Sequence, residues 1–416
     1  MSMRNVAHPS IDQRRARGGQ ARERTPLSGH AGWVPAADRP DPVALLEEQN
    51  LTREKDLVPV RHGRMMVSPF TFYRGAAKIM AADLKDTPVA GLDAQLCGDA
   101  HLDEDELKAS IRSTVGGTAG GEKGAKKAAR LEKAPKKQPK RAEKQDKTAR
   151  KEGKRAEKTL EKAHTRDSLQ ALSKLGELVD GRYRIVSQPP IVVPARDLAA
   201  TYGLSPSEAG RAIRDQFRAY RATLPDDRRQ LLERFEVVDM ARKVVGVGSV
   251  GTRAFIVLLQ GRDAQDPLFL QVKEATASVL EANLRKSRYR QHGERVVQGQ
   301  RMMQAASDIY LGWTKGQDVR RQFYWRQLRD MKGSALVEAM APVALTFYAR
   351  ICGWTLARAH ARSGDPVAIA EYLGTSDAFD TSITDFSRRY ADQNERDYQQ
   401  FVTAIRSGRL EALEGV

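Results

Sequence analysis

VVGVGSVGTRAFIVLLQGRDAQDPLFLQVKEA, residues 244–275, decides how this chain is read. Gly246, Gly248 and Gly251 form a G-x-G-x-x-G turn with Ser249 inside it. Two kinds of phosphate site share that turn, and the residues after it separate them. A dinucleotide-binding turn opens a helix whose N-terminus carries the pyrophosphate. Here residues 252–259 are rich in β-branched and aromatic side chains and predict a strand. Gly261-Arg262-Asp263 through Asp266-Pro267 is turn chemistry. Residues 268–272 then predict a second strand, with Lys273 at its end. No G-K-[ST] follows the glycines, which excludes a Walker loop. Glycine turn, strand, turn and strand-with-lysine form a clamp: the loop covers nucleotide phosphates and the lysine pairs with them. Glycines suit the loop because the backbone must approach the phosphates closely and adopt positive φ. The competing reading is a plain hairpin with a surface lysine. The Gln271-Val272-Lys273 ending favours the clamp.

Working outward, residues 294–310 predict a helix, with Val296, Met303 and Ile309 on its apolar stripe. A kinase-type lysine is oriented by a helical glutamate, and Glu281 and Glu294 are the carboxylates within reach in sequence. Glu294 is the candidate carried forward. Residues 323–328 predict a further strand, and 334–363 a long amphipathic helix or helix pair. The other half of such a site lies near the N-terminus, in the Cys97–His101 run CGDAH. It resembles the H-G-D-x-H-x-x-N loop of aminoglycoside-phosphotransferase-like enzymes. That resemblance implies that Asp99 takes or orients the proton of an acceptor hydroxyl, with His101 as the second candidate catalytic group. A loop that precedes its clamp implies circular permutation. The expected fold is therefore α+β: a protein-kinase-like two-lobed fold, circularly permuted, with an incomplete helical lobe. The expected cofactor is ATP with Mg.

Longer stretches carry a closer resemblance. They include HAGWVPAADRPDPVALLEEQN, LVPVRHGRMMVSPFTFYRGAAKIMAADL, LCGDAHL, DSLQALSKLGELVDGRYRI, ARKVVGVGSVGTRAFIVLLQGRD, QRMMQAASDIYLGW and YADQNERDY. In this order they resemble an uncharacterised bacterial family known as domain of unknown function 2252, over nearly the whole chain outside its basic middle. In that family pattern CGDAHL continues into an Asn-Phe-Gly segment and, further on, Asn-Asp-Phe-Asp. Here Leu102 is followed by Asp103-Glu104-Asp105-Glu106-Leu107. The resemblance thus implies an internal deletion after Leu102, loss of the metal-binding Asn and Asp, and impaired catalysis in a chain that still binds nucleotide.

Composition sets the remaining bounds. A chain of 416 residues can bury a sizeable core. Its two cysteines, Cys97 and Cys352, form no CxxC pattern, so no zinc or redox motif is present and a reducing cytoplasm is expected. No apolar run is long enough for a signal peptide or a membrane span. Residues 123–166 hold 18 Lys and Arg against 6 Asp and Glu, which leaves the rest of the +17 chain only mildly basic. This Lys-rich segment follows the Gly-rich stretch 113–124 and reads as an exposed helix or tether. It has no aromatic residue for base stacking, so nucleic acid would be held through phosphates alone. A non-catalytic scaffold that uses this segment to contact nucleic acid or an acidic partner is the alternative function. The expected organisation is a disordered basic arm (1–30), the first part of the helical lobe (31–102), linker and Lys-rich segment (103–166), a mixed connecting region (167–243), a small sheet lobe (244–330) and the rest of the helical lobe (331–416). At Ser68-Pro69 an N-cap followed by proline predicts a helix start, and Phe70, Phe72 and Tyr73 are read as core. Arg64 and Arg74 are the arginines that could face a phosphate.

Overall fold

A computed structural model describes residues 8–97, 168–199, 201, 203–263, 265–328, 337 and 340–416. The Asp99 and His101 positions and the Lys-rich segment lie outside the described residues. The chain is a mixed α+β protein built on antiparallel sheets. A six-stranded sheet has the order β3-β4-β5-β6-β8-β7, with β3 at Val192–Pro194, β4 at Glu236–Lys243, β5 at Ala254–Gln260, β6 at Pro267–Glu274, β7 at Gly312–Lys315 and β8 at Gln322–Gln327. A small hairpin, β1 (Gly176–Val179) and β2 (Arg182–Ile185), stands beside it.

β5, β6 and β8 form where the sequence predicts strands, and burial explains their composition. β5 (AFIVLLQ) is apolar at nearly every position because both of its faces are covered. Val257 and Leu259 join Leu268, Leu270 and Val272 of β6 under Phe217 and Tyr220 of helix α7, Pro206–Arg221. Ile256 and Leu258 face the other way with Phe269. They meet Ala171, Leu172 and Leu175 of helix α6, Ser168–Leu175. Side chains alternate along a strand, so Lys273 shares the α6 side of the sheet with Phe269 and Gln271. Tyr220 stacks on Trp325 at 4.5 Å and 9°. Its hydroxyl donates to the Tyr310 carbonyl at 2.6 Å. Residues 167–243, read as a connecting region, supply β1–β4 and α6–α7.

Between β6 and β7 lies helix α8, His292–Met303. It stops short of the expected 294–310. Val297 and Met303 are buried on it, whereas Ile309 lies beyond it and is exposed.

The N-terminal helices α2 (Pro42–Asn50), α3 (Val58–Met65), α4 (Pro69–Gly75) and α5 (Ala77–Asp83) pack on the C-terminal helix α11 (Ala378–Arg406). Leu46, Met65, Phe72 and Ile79 meet Phe401 there. α4 starts as read, with Ser68 accepting from the Thr71 N–H and Pro69 in the first turn. Of its three aromatics only Phe72 is buried; Phe70 and Tyr73 are exposed. A seven-residue helix has one inward stripe, and Phe72 occupies it.

The basic arm expected to be disordered over 1–30 is corrected. Residues Ile11–Arg24 form helix α1, opened by a Ser10–Gln13 capping box. It docks on α10, Pro366–Leu373. Arg14 pairs with Asp365 at 2.8 Å and Arg22 with Glu371 at 3.4 Å. Gly18 lets the helices approach, since a Cβ there would stand 2.4 Å from the Ala368 carbonyl.

Candidate phosphate-binding loop

The glycine turn joins β4 to β5 and leans on the N-terminal helices. Gly246 and Gly251 have φ of 66° and 84°, the left-handed conformation that glycine adopts without strain. Gly248 is glycine for a different reason. The Arg74 carbonyl oxygen approaches it, and a Cβ would meet that oxygen at 2.6 Å. Val250 anchors the loop in an apolar cluster with Leu57, Val60 and Val244.

Every carbonyl from Val245 to Gly251 accepts a hydrogen bond from the protein. Ser249 Oγ donates to Val245 O at 2.7 Å. Arg64 Nη1 donates to Gly246 O at 2.8 Å. The Val250 N–H donates to Val247 O, and the Thr252 N–H to Ser249 O. Arg53 Nη2 donates to Gly248 O at 2.9 Å, and Arg53 Nη1 donates to Val250 O. The Glu54 N–H closes the set on Gly251 O at 2.8 Å. In contrast, the N–H groups of Gly246, Val247, Gly248 and Ser249 donate to no acceptor among the described residues. The loop has spent its acceptors on the fold and kept its donors.

Three arginines from one N-terminal stretch support this arrangement. Arg64 also donates to Val416 O at 3.0 Å. Behind Arg53 lies Arg61, fully buried, which donates to Asn50 Oδ1, Gln49 Oε1 and Gly75 O. Burial pushes the Arg53 guanidinium down to about 10. Burial, then the Arg53 charge, pushes Arg61 down to about 9. Around the lip of the sheet, Glu54 meets Arg253 at 2.6 Å and Asp56 meets Arg242 at 2.7 Å. Glu274 meets Arg321 at 2.8 Å, and burial raises its carboxyl.

Lys273 is half-buried and stands in register between Ala254 of β5 and Tyr324 of β8. Ala254 is three residues past Gly251, so the lysine and the loop share one end of the sheet. Glu294 sits in the first turn of α8, where its N–H is capped by Gln291 Oε1 at 2.5 Å. Among the described residues its carboxylate forms no salt bridge. Glu281 instead lies 3.9 Å from Arg295. The chain that leads to CGDAH passes along α8, with Gln95 over Gly299 and the Gln95 N–H on Ser363 Oγ at 3.0 Å. Among the described residues no group of three His, Cys, Asp or Glu is placed to hold a metal, and no helix is long and apolar enough to cross a membrane.

The predicted glycines lie in one turn, and Lys273 stands at the same end of the sheet. The sequence pattern does not point to Arg53, because a carbonyl clamp supplied from nearly two hundred residues away leaves no spacing to read.

A family described as "Uncharacterized protein conserved in bacteria" (DUF2252) matches residues 53–104 and 123–404. The match breaks off at residue 104, two residues past Leu102, and resumes at 123. Comparison with curated proteins gives no match. Comparison with solved structures gives none either.

Proposed function

The chain belongs to the DUF2252 family of proteins conserved in bacteria, and on that premise we propose that it binds the phosphates of ATP on the 246–251 loop, in a kinase-like, circularly permuted fold. One observation carries the reading: the loop's carbonyls are all engaged within the protein, while four consecutive N–H groups are not. Successive free backbone N–H groups in a glycine turn form a concavity suited to an anion.

The order of elements supports the same reading. The glycine turn joins β4 to β5, the lysine is on the next strand, and a helix leads from it to β7 and β8. Gly246, Gly248, Ser249 and Gly251 cover the phosphates. Lys273 pairs with them, and Glu294 is the helical carboxylate of that lobe. Asp99 orients the acceptor hydroxyl, with His101 beside it in the motif. Bound ATP, with its Mg, supplies the transferable phosphoryl group. The chain's own part is to hold the phosphates by backbone donors and a cation, because phosphoryl transfer depends chiefly on positioning and charge stabilisation. Departure from the family pattern after Leu102 goes with weak turnover or none.

Selective ¹⁵N-glycine labelling tests the loop directly. Titration with Mg-ATP should shift the Gly246 and Gly248 amide resonances strongly, and titration with adenosine should leave them in place. Equal response to both ligands, or none to ATP, would overturn the reading.

A further inference from the structure

A cleft of about 800 Å³ opens beside the loop, between α2 and α5 on one side and the 276–292 connection on the other. Lys273 and the loop glycines are not in its lining; Arg53 and Thr252 are. Its charges do not balance. Glu48 is matched by Lys78 at 2.6 Å, and Glu281 by Arg295. Arg53, Lys286 and Arg290, also in the lining, have no carboxylate within salt-bridge distance among the described residues. Arg61 adds a fourth such cation behind the wall.

Buried polar atoms without a protein partner gather at the same place. Arg53 Nε and His292 Nδ1 belong to residues of the lining, and Arg61 Nε lies on the arginine behind Arg53. Burying a cation with only neutral acceptors is costly. Arg61 is buried and Arg53 half-buried against neutral acceptors, and Lys286 and Arg290 stand exposed at the rim, so the concavity carries a surplus of positive charge that an anion would balance. Hydroxyls of Thr276, Ser278 and Tyr289 add neutral donors. The volume suits a small metabolite.

We propose that this cleft binds a small phosphorylated molecule, held by Arg53, Lys286 and Arg290, at a site separate from the Lys273 clamp. The inference rests on charge and burial in the cleft and stands whether or not the loop binds ATP. Arg53 links the two places, since its guanidinium holds the loop carbonyls while the residue also lines the cleft. Occupancy of the cleft thus bears on the loop's position.

Calorimetric titration of the full chain with inorganic pyrophosphate, at constant physiological salt, tests the site. Lys286 and Arg290 are exposed at the rim, so the double variant Lys286→Ala/Arg290→Ala should fold; a thermal midpoint matching wild type checks this. A saturable site is expected in wild type, still present in Lys273→Met and weakened at least tenfold in the double variant. Wild type that takes up no pyrophosphate overturns the proposal. So does binding unchanged in the double variant, which would assign it to the Lys-rich segment or the loop. Loss in Lys273→Met would merge the two sites into one and overturn their separation.

Discussion

His62 shows how one buried residue ties protonation to the fold. Its Nδ1–H donates to the Glu411 carbonyl at 2.6 Å, and its Nε2 accepts from the Asn50 amide at 3.0 Å. Asn50 cannot turn its oxygen to the ring, because that oxygen already accepts from Arg61. The neutral imidazole is therefore the form that fits. Burial lowers the His62 pKa; the Glu411 carbonyl bond opposes it, and the Arg61 and Arg53 charges add to the lowering. Burial lowers His30 and His292 as well. With folded values below the ordinary value of about 6.5, this stability is full above that pH and is lost as pH falls below it. The thermal midpoint should drop between pH 7 and about 5, and His62→Gln should flatten that dependence. A slope the same in both proteins would contradict the assignment. At this scale the sequence was half legible. The three loop glycines are visible as a pattern, but the reason for Gly248, the approach of the Arg74 carbonyl, exists only after folding.

Elements defined by their own neighbours were readable, and elements defined by distant partners were not. β5 and β6 announce themselves because strand periodicity and turn residues are local signals. α1 was misread because its arginines look solvated in a stretch with few apolar residues, while the acids that pair with them lie some 350 positions away on α10. The same distance hides the clasp at Arg39. Its guanidinium is bidentate to Asp83, at the end of α5, with bonds of 2.6 and 2.9 Å. It is also bidentate to Asp397 of α11, at 2.9 and 2.6 Å. Tyr390 and Gln393 of α11 donate to the same two carboxylates. Both carboxylates are almost wholly buried. Removing one partner of a buried ion pair leaves an uncompensated charge, at a cost of about 3–5 kcal/mol. Arg39→Met should lower stability by about that much in chemical denaturation. Arg39→Lys should recover only part of it, because an ammonium cannot fork to both acids. A loss below about 1 kcal/mol would place the clasp among surface pairs.

Across the whole molecule, N-terminal and C-terminal segments fold together and jointly carry the loop. Residues 53–64 supply the donors that hold the loop carbonyls, and the C-terminal Leu413 N–H donates to Pro59 O beneath them. The family match covers residues 53–64 and the loop, on either side of its interruption at 105–122. Thermal unfolding of the full chain with and without Mg-ATP, on wild type and Lys273→Met, tests the central claim most directly. A ligand at about a hundred times its dissociation constant stabilises by roughly 2.7 kcal/mol. A cooperative transition that ATP raises in wild type and leaves unmoved in Lys273→Met is the predicted result. A cooperative wild-type transition indifferent to ATP would contradict it.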